Sequence, residues 1–221
     1  DVRRSRSGVT AMLRLYDDPI SGNGYKVRLL LSHLGTAYEY AAVDVMGGGT
    51  HTPDFLALNP IGKIPVLRLE DGTLLPESNA ILAYLADGTP FWPDDRLARA
   101  QTLQWLFFEQ YSHEPAIAVA RYWLHLPEMD ELQRRRLPEL EARGDAALGV
   151  MDGHLAGRDF FVGGRFGLAD IALYAYTHVA DEGGFDLSRH PNVQRWLANV
   201  AAQPGHVTID APAGTAVTEA A

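Results

Sequence analysis

The chain of 221 residues contains no cysteine. That absence removes disulfide cross-links, thiolate-bound zinc, a cysteine nucleophile and any CxxC redox pair. Thiol chemistry at this protein would need a thiol brought in by a small molecule. Histidines and carboxylates do not recur at ligand spacing, so no metal is expected. No apolar run approaches the ~20 residues needed to span a bilayer, so a membrane partner is not expected either. Basic residues are in deficit: 19 Lys and Arg stand against 28 Asp and Glu, a formal net charge of -9. An acidic surface repels phosphate backbones, and no Lys/Arg stripe interleaved with aromatics occurs, which argues against nucleic acid. What remains is an ordinary globular composition, 47% hydrophobic and 21% charged, with enough chain for a sizeable core. Residues 1–11 are polar and basic and lack the apolar centre of a secretory signal. They are expected to be a disordered N-terminal extension, with Met12 as the natural start and the cytoplasm as the location.

From residue 12 to 87 strand-like and helix-like segments alternate. Met12-Leu13-Arg14-Leu15-Tyr16 is short and apolar and stops at Asp17-Asp18-Pro19, a strand entering a loop. Val27, Leu30, Leu31 and Leu34 recur at helical spacing and Gly35 ends the run. Residues 38–45 form a second strand, and Thr52 caps a short helix carrying Phe55 and Leu56. Residues 64–69 and 73–75 make a hairpin through Asp71-Gly72. Ser78, Ile81, Leu82 and Leu85 mark another helix. The order βαβ, ββ, α predicts a small mixed sheet covered by helices, hence an α/β domain. Pro65, at the start of the third strand, cannot donate to a ladder; a cis peptide in the turn resolves the conflict. Residues 88–94 are a turn-rich linker. From 95 to 204 the pattern is helical throughout: long helices over 97–126 and 129–155, then shorter ones over 168–179 and 191–202. Pro115 is expected to kink the first of these. Residues 205–221 are small and polar and are expected to form a flexible tail.

The chemistry concentrates between the first strand and the first helix, in Pro19-Ile20-Ser21-Gly22-Asn23-Gly24. A hydroxyl residue followed by Asn-Gly at a helix start combines unpaired N–H groups, a partial positive charge and side-chain donors, which together suit an anion. A thiolate is such an anion. A free thiol ionises near ~8.5, and each unit of depression needs about 1.4 kcal/mol, within the range of one hydrogen bond to a charged acceptor. By itself, Ser21 reads equally well as an N-cap, and Asn23-Gly24 as turn chemistry.

Two further segments, Asn59-Pro60-Ile61-Gly62-Lys63-Ile64-Pro65-Val66-Leu67 and Glu77-Ser78-Asn79-Ala80-Ile81-Leu82, resemble the glutathione site of cytosolic glutathione transferases. Residues 161–176 and 190–205 are similar to helices of that family's second domain, so the likeness runs through nearly the whole chain, nearest to bacterial theta- and nu-like members of the Ser/Asn type. The resemblance implies a thioredoxin-like N-terminal domain at 12–87 and an all-α helical-bundle domain at 95–204. It further implies a homodimer acting in detoxification, with glutathione as co-substrate. Ser21 and Asn23 fall at the catalytic positions. The backbone of Ile64, turned by Pro65, would pair with the cysteinyl unit. Lys63 would meet the glycyl carboxylate. Glu77 and Ser78 would hold the γ-glutamyl end. Phe108, Tyr111 and Ser112, on the first long helix, would wall the second substrate's pocket. Tyr16, near the first strand's end, reads instead as a core aromatic, and Asp170 as a capping-box residue.

The reaction these features predict is attack of a bound glutathione thiolate on an electrophilic small molecule. Two alternatives stay open: a glutathione-dependent disulfide or peroxide reductase, and a non-catalytic relative serving as a binding or scaffold protein.

Overall fold

The computed structural model describes residues 12–216; the expected extension at 1–11 and the last part of the expected tail, 217–221, lie outside the described residues. The first domain opens with β1 (Arg14–Asp17), α1 (Gly22–Leu34) and β2 (Glu39–Ala42). After a 3-10 turn (Gly49–His51) come α2 (Pro53–Leu58), β3 (Val66–Arg68), β4 (Leu74–Pro76) and α3 (Ser78–Ala86). β1 pairs parallel with β2 and antiparallel with β3, and β3 pairs antiparallel with β4. The sheet is therefore mixed. One apolar cluster, including Leu15, Val27, Leu31, Leu67 and Ile81, fixes α1 and α3 against it. Tyr16 is buried in a second cluster with Ala41, Val43, Phe55 and Val66. Its place in the core removes it from the candidate catalytic groups.

The second domain comprises α4 (Arg96–Phe108), α5 (Glu114–His125), α6 (Glu131–Leu155), α7 (Leu168–Thr177) and α8 (Pro191–Ala201). The expected single helix over 97–126 is interrupted. A π-helical turn (Glu109–His113) separates α4 from α5, and Pro115 sits in the first turn of α5, where its missing N–H is not needed. The wide turn absorbs the defect and rotates everything after it relative to a continuous helix. Asp170 sits in the first turn of α7, where its carboxylate accepts the Gly167 N–H, the Phe161 N–H and Trp196 Nε1–H, each at about 3 Å. It is a folding determinant, tying three segments together from inside.

The largest core crosses between the domains. Tyr25, Leu29, Leu30, Leu82 and Ala86 from the first domain pack with Ile117, Leu148, Ile171, Leu173 and Trp196 from the second. That continuity holds the first turn of α1 rigidly against α5 and α7.

The expected flexible tail is corrected over residues 205–216. Tyr25 Oη donates to the Val207 carbonyl at 2.6 Å, and Arg28 Nη1 to the Ile209 carbonyl at 2.6 Å. The Thr215 N–H reaches the Tyr38 carbonyl at 3.0 Å, and β5 (Thr215–Ala216) adds a parallel strand beside β2. The order across the sheet is β4-β3-β1-β2-β5. The segment is held partly through its backbone carbonyls, by donors of α1, and partly by Val207 and Ile209, which pack against the main core.

Candidate functional site

The loop between β1 and α1 is fixed from below. Asp17 is fully buried and pairs with Arg28 Nε at 3.0 Å; burial raises its carboxyl to about 7 against the opposing pull of Arg28. Arg28 Nη2 also donates to the Pro19 carbonyl at 2.8 Å. Asp18 accepts the Ile20 N–H at 3.1 Å and the Val45 N–H at 3.0 Å. Gly24 has to be glycine, because a Cβ there would lie 1.5 Å from the Asp17 carboxylate.

This scaffold presents Ser21 as the N-cap of α1, its Oγ accepting the Gly24 N–H at 3.2 Å. Tyr176, from α7 of the other domain, reaches the same turn. Its hydroxyl accepts the Asn23 N–H at 3.2 Å and also bonds the Ser21 side chain. The Tyr176 ring occupies the space beside Gly22, where any Cβ would lie 2.5 Å from a ring carbon. Burial, reinforced by Glu114, pushes the Tyr176 hydroxyl well above its ordinary pKa. It therefore stays protonated and remains both donor and acceptor in this turn.

Asn23 is the junction of a network that crosses the domains. Its Oδ1 accepts from Lys26 Nζ at 2.7 Å and from Ser78 Oγ at 3.2 Å, while its Nδ2 donates to Glu114 Oε1 at 3.1 Å. These partners fix which end of the amide is which. Lys26 is fully buried and forms an ion pair with the equally buried Glu109 at 2.8 Å. Such a pair holds its geometry because stripping either charge of its partner leaves the other uncompensated.

Facing this turn are the Ile64-Pro65 peptide, which is cis, and the start of α3. Glu77 adopts φ 71, a left-handed conformation uncommon for a residue with a side chain, and such conformations concentrate at functional sites. Asn59 anchors the approach to the cis peptide, donating from Nδ2 to the Lys63 carbonyl at 2.7 Å.

A cavity of about 470 Å³ lies between these elements, and Ser21, Asn23, Lys63, Ile64, Pro65, Glu77 and Ser78 all line it. Seven residues drawn from three distant segments thus converge on one space. The expected wall of Phe108, Tyr111 and Ser112 is corrected. None of the three lines this cavity; Phe108 packs edge-on against Trp105 with ring centroids 5.1 Å apart, and Tyr111 is 84% exposed. The wall opposite Ser21 comes from Gln110, Glu114, Ala118, Val119 and Tyr122, with Ile20, Val45 and Met46 on the first-domain side. Thr50 and His51 line the end near Lys63, with Thr50 Oγ1 and His51 Nδ1 3.0 Å apart.

Known protein families match both parts of the chain. Residues 11–87 match the glutathione S-transferase N-terminal domain, and residues 107–204 match the glutathione S-transferase C-terminal domain. The chain belongs to the glutathione S-transferase family. It is 30% identical over 197 residues to glutathione S-transferase GstB of Escherichia coli (strain K12), covering 87% of this chain and 95% of that one. A crystal structure of glutathione S-transferase from Pseudomonas fluorescens [Pf-5] matches with a TM-score of 0.87 and 55% identity over 90% of this chain and 98% of that one. Ure2p in complex with glutathione matches with a TM-score of 0.80 and 25% identity over 90% of this chain and 93% of that one.

Within this transferase fold, three residues at the site went unnoticed in the sequence. Lys26 reads as one more residue of an amphipathic helix, Glu114 as a first-turn acid before a proline, and Tyr176 as part of a buried apolar helix. Each becomes a site residue only when the two domains meet, and nothing in local spacing marks that meeting. Among the described residues no group of three or more histidines and carboxylates is placed to hold a metal ion, and no helix is long and apolar enough to cross a membrane.

Proposed function

We propose that the protein is a glutathione transferase that binds glutathione in the cavity beside Ser21 and directs its thiolate at an electrophilic small molecule. The observation that carries this reading is the convergence of Ser21, Asn23, Lys63, the cis Ile64-Pro65 peptide, Glu77 and Ser78 on one cavity. In this reading the cysteinyl unit pairs with the Ile64 backbone, Lys63 meets the glycyl carboxylate, and Glu77 and Ser78 take the γ-glutamyl end. The sulfur then falls beside Ser21 and Asn23. Their donors favour the charged sulfur, and the cavity positions the two reactants. The cysteine-free composition is consistent with this assignment, since the reacting sulfur would arrive with the co-substrate. The second substrate rests against Val119 and Tyr122, in place of Phe108, Tyr111 and Ser112. A homodimer acting in the cytoplasm is part of the same proposal.

The test is the pair Ser21→Ala with Asn23→Ala. Turnover is expected to fall by about 100-fold or more, as when donors to a developing anion are removed, with glutathione affinity changed only a few-fold. Unchanged turnover contradicts the assignment of both residues.

Disulfide reduction is the second reading, favoured by the Glu114 carboxylate on the cavity wall beside Asn23. Such a group is of more use to a basic leaving atom than to a halide.

A further inference from the structure

We propose that Glu114 is the proton relay of this site: it takes the thiol proton from bound glutathione and returns it to the atom that leaves the second substrate. The proposal rests on the glutathione reading above and goes beyond it by assigning a second-domain residue to the chemistry.

Two acids approach the Asn23 turn from the helical domain, and they are not equivalent. Glu109 is fully buried, takes Lys26 at 2.8 Å and accepts from Asn79 and Gln110. Its capacity is spent on structure, and it does not line the cavity. Glu114 lines the cavity, and its Oε1 accepts from Asn23 Nδ2 at 3.1 Å. Among the described residues it has no ion-pair partner. It is the one carboxylate of this network that faces both Asn23 and the reacting space.

A bare carboxylate beside a nascent thiolate opposes ionisation, because like charges in a confined site repel. The opposition vanishes if the carboxylate receives the proton, since the pair then keeps one negative charge throughout. The surroundings suit that exchange. Burial raises the Glu114 pKa; Lys26 on α1 opposes, Glu109 on the π turn adds to the rise, and Asn23 and Lys63 oppose. Tyr176 on α7 faces the same group and stays protonated. A carboxyl shifted upward toward neutrality is a better acid–base catalyst than one at its ordinary value.

For a disulfide as second substrate the step balances without another reactant. The glutathione S–H bond breaks and its proton passes to the Glu114 carboxylate. The sulfur lone pair forms a new S–S bond, and the old S–S bond breaks with its electron pair on the departing sulfur. That sulfur, whose conjugate acid ionises near ~8.5, takes the proton from Glu114 and leaves as a thiol, restoring the carboxylate. A chloride leaves as a stable anion and needs no proton, so the relay discriminates between electrophiles by the basicity of what departs.

The experiment uses the full chain. Glutathione uptake is first measured by calorimetry for wild type, Glu114→Gln and Glu114→Asp. Reduction of a mixed disulfide and conjugation of chlorodinitrobenzene are then followed across pH. The glutamine variant keeps a carbonyl for Asn23, so the turn is retained. Expected is a loss of about 100-fold in disulfide turnover, disappearance of the alkaline limb of its pH profile, and a smaller loss in conjugation, about tenfold, because conjugation loses proton uptake from the thiol but needs no proton returned to the leaving atom. The aspartate variant recovers part of the disulfide turnover and the limb. Equal losses on both substrates, no loss on the disulfide, or weaker glutathione uptake with unchanged turnover would each overturn the relay while leaving the glutathione site standing. Absence of glutathione uptake by wild type would overturn both.

Discussion

The side chains around Asn23 show how a few buried polar groups can define a site. Lys26 and Glu109 are fully buried and paired, and Lys26 donates to the Asn23 amide, whose other side-chain contacts are Ser78 and Glu114. His113 lies one residue before Glu114, fully buried, with Nε2 2.9 Å from Thr177 Oγ1. Burial, and then the nearby Lys26 charge, lower its pKa to about 3. In the unfolded chain it titrates near ~6.5. Between those values the unfolded state binds the extra proton, so the contribution of neutral His113 is intact above about pH 6.5 and is lost as the pH falls toward 3. Removing the titration isolates this effect from the buried carboxylates Asp17 and Asp170, which are shifted upward and act in the opposite direction. Urea unfolding of wild type and His113→Gln at pH 7 and pH 5 checks it. The stability advantage of wild type is expected to shrink by about 2 kcal/mol over that interval. Parallel pH curves for the two proteins contradict a neutral buried imidazole.

At the level of elements, the sequence carried the alternation of strands and helices well, because each piece has its own punctuation. Asp17-Asp18-Pro19 ends β1, Ser21 caps α1, Thr52 caps α2 and Asp71-Gly72 turns the hairpin. The cis peptide at Ile64-Pro65 was legible from a proline placed where a ladder donor is needed. The first-domain half of the site was legible too, because its residues come in short contiguous motifs. Two features were not. The π turn at Glu109–His113 leaves no mark in hydrophobic periodicity, and Tyr111, on that turn, faces outward. The docking of residues 205–216 depends on Tyr25 and Arg28 donating to tail carbonyls, and a carbonyl's partner cannot be read from the residue that bears it. Arg28 links that tail to the Pro19 carbonyl and Asp17 beneath the Ser21 turn. Deleting residues 205–221 leaves the Tyr25 hydroxyl and one arm of Arg28 without these acceptors. A loss of about 2 kcal/mol is expected, or a fall of ~4–8 °C in thermal midpoint for a chain of this size. An unchanged midpoint contradicts a structural role for the tail.

Across the whole molecule, the two domains share one core and one cavity, and the cavity is complete only where they meet. The first domain contributes Ser21, Asn23, Lys63, Ile64, Pro65, Glu77 and Ser78, all named by motif; the second contributes Glu114, Val119 and Tyr122, which no motif marks, and Tyr176, which ends a family-like helix without standing out in it. This division follows from physics rather than chance. A backbone-shaped tripeptide site needs a fixed local geometry that short motifs encode, whereas the wall for a second substrate depends on the phase of a helix and on how two domains pack. The most direct test is a crystal of the full chain grown with glutathione. The sulfur is expected within about 3.5 Å of Ser21 Oγ or Asn23 Nδ2, with the tripeptide backbone antiparallel to Ile64. A sulfur remote from that turn, or a cavity that stays without tripeptide at saturating glutathione, would contradict the account.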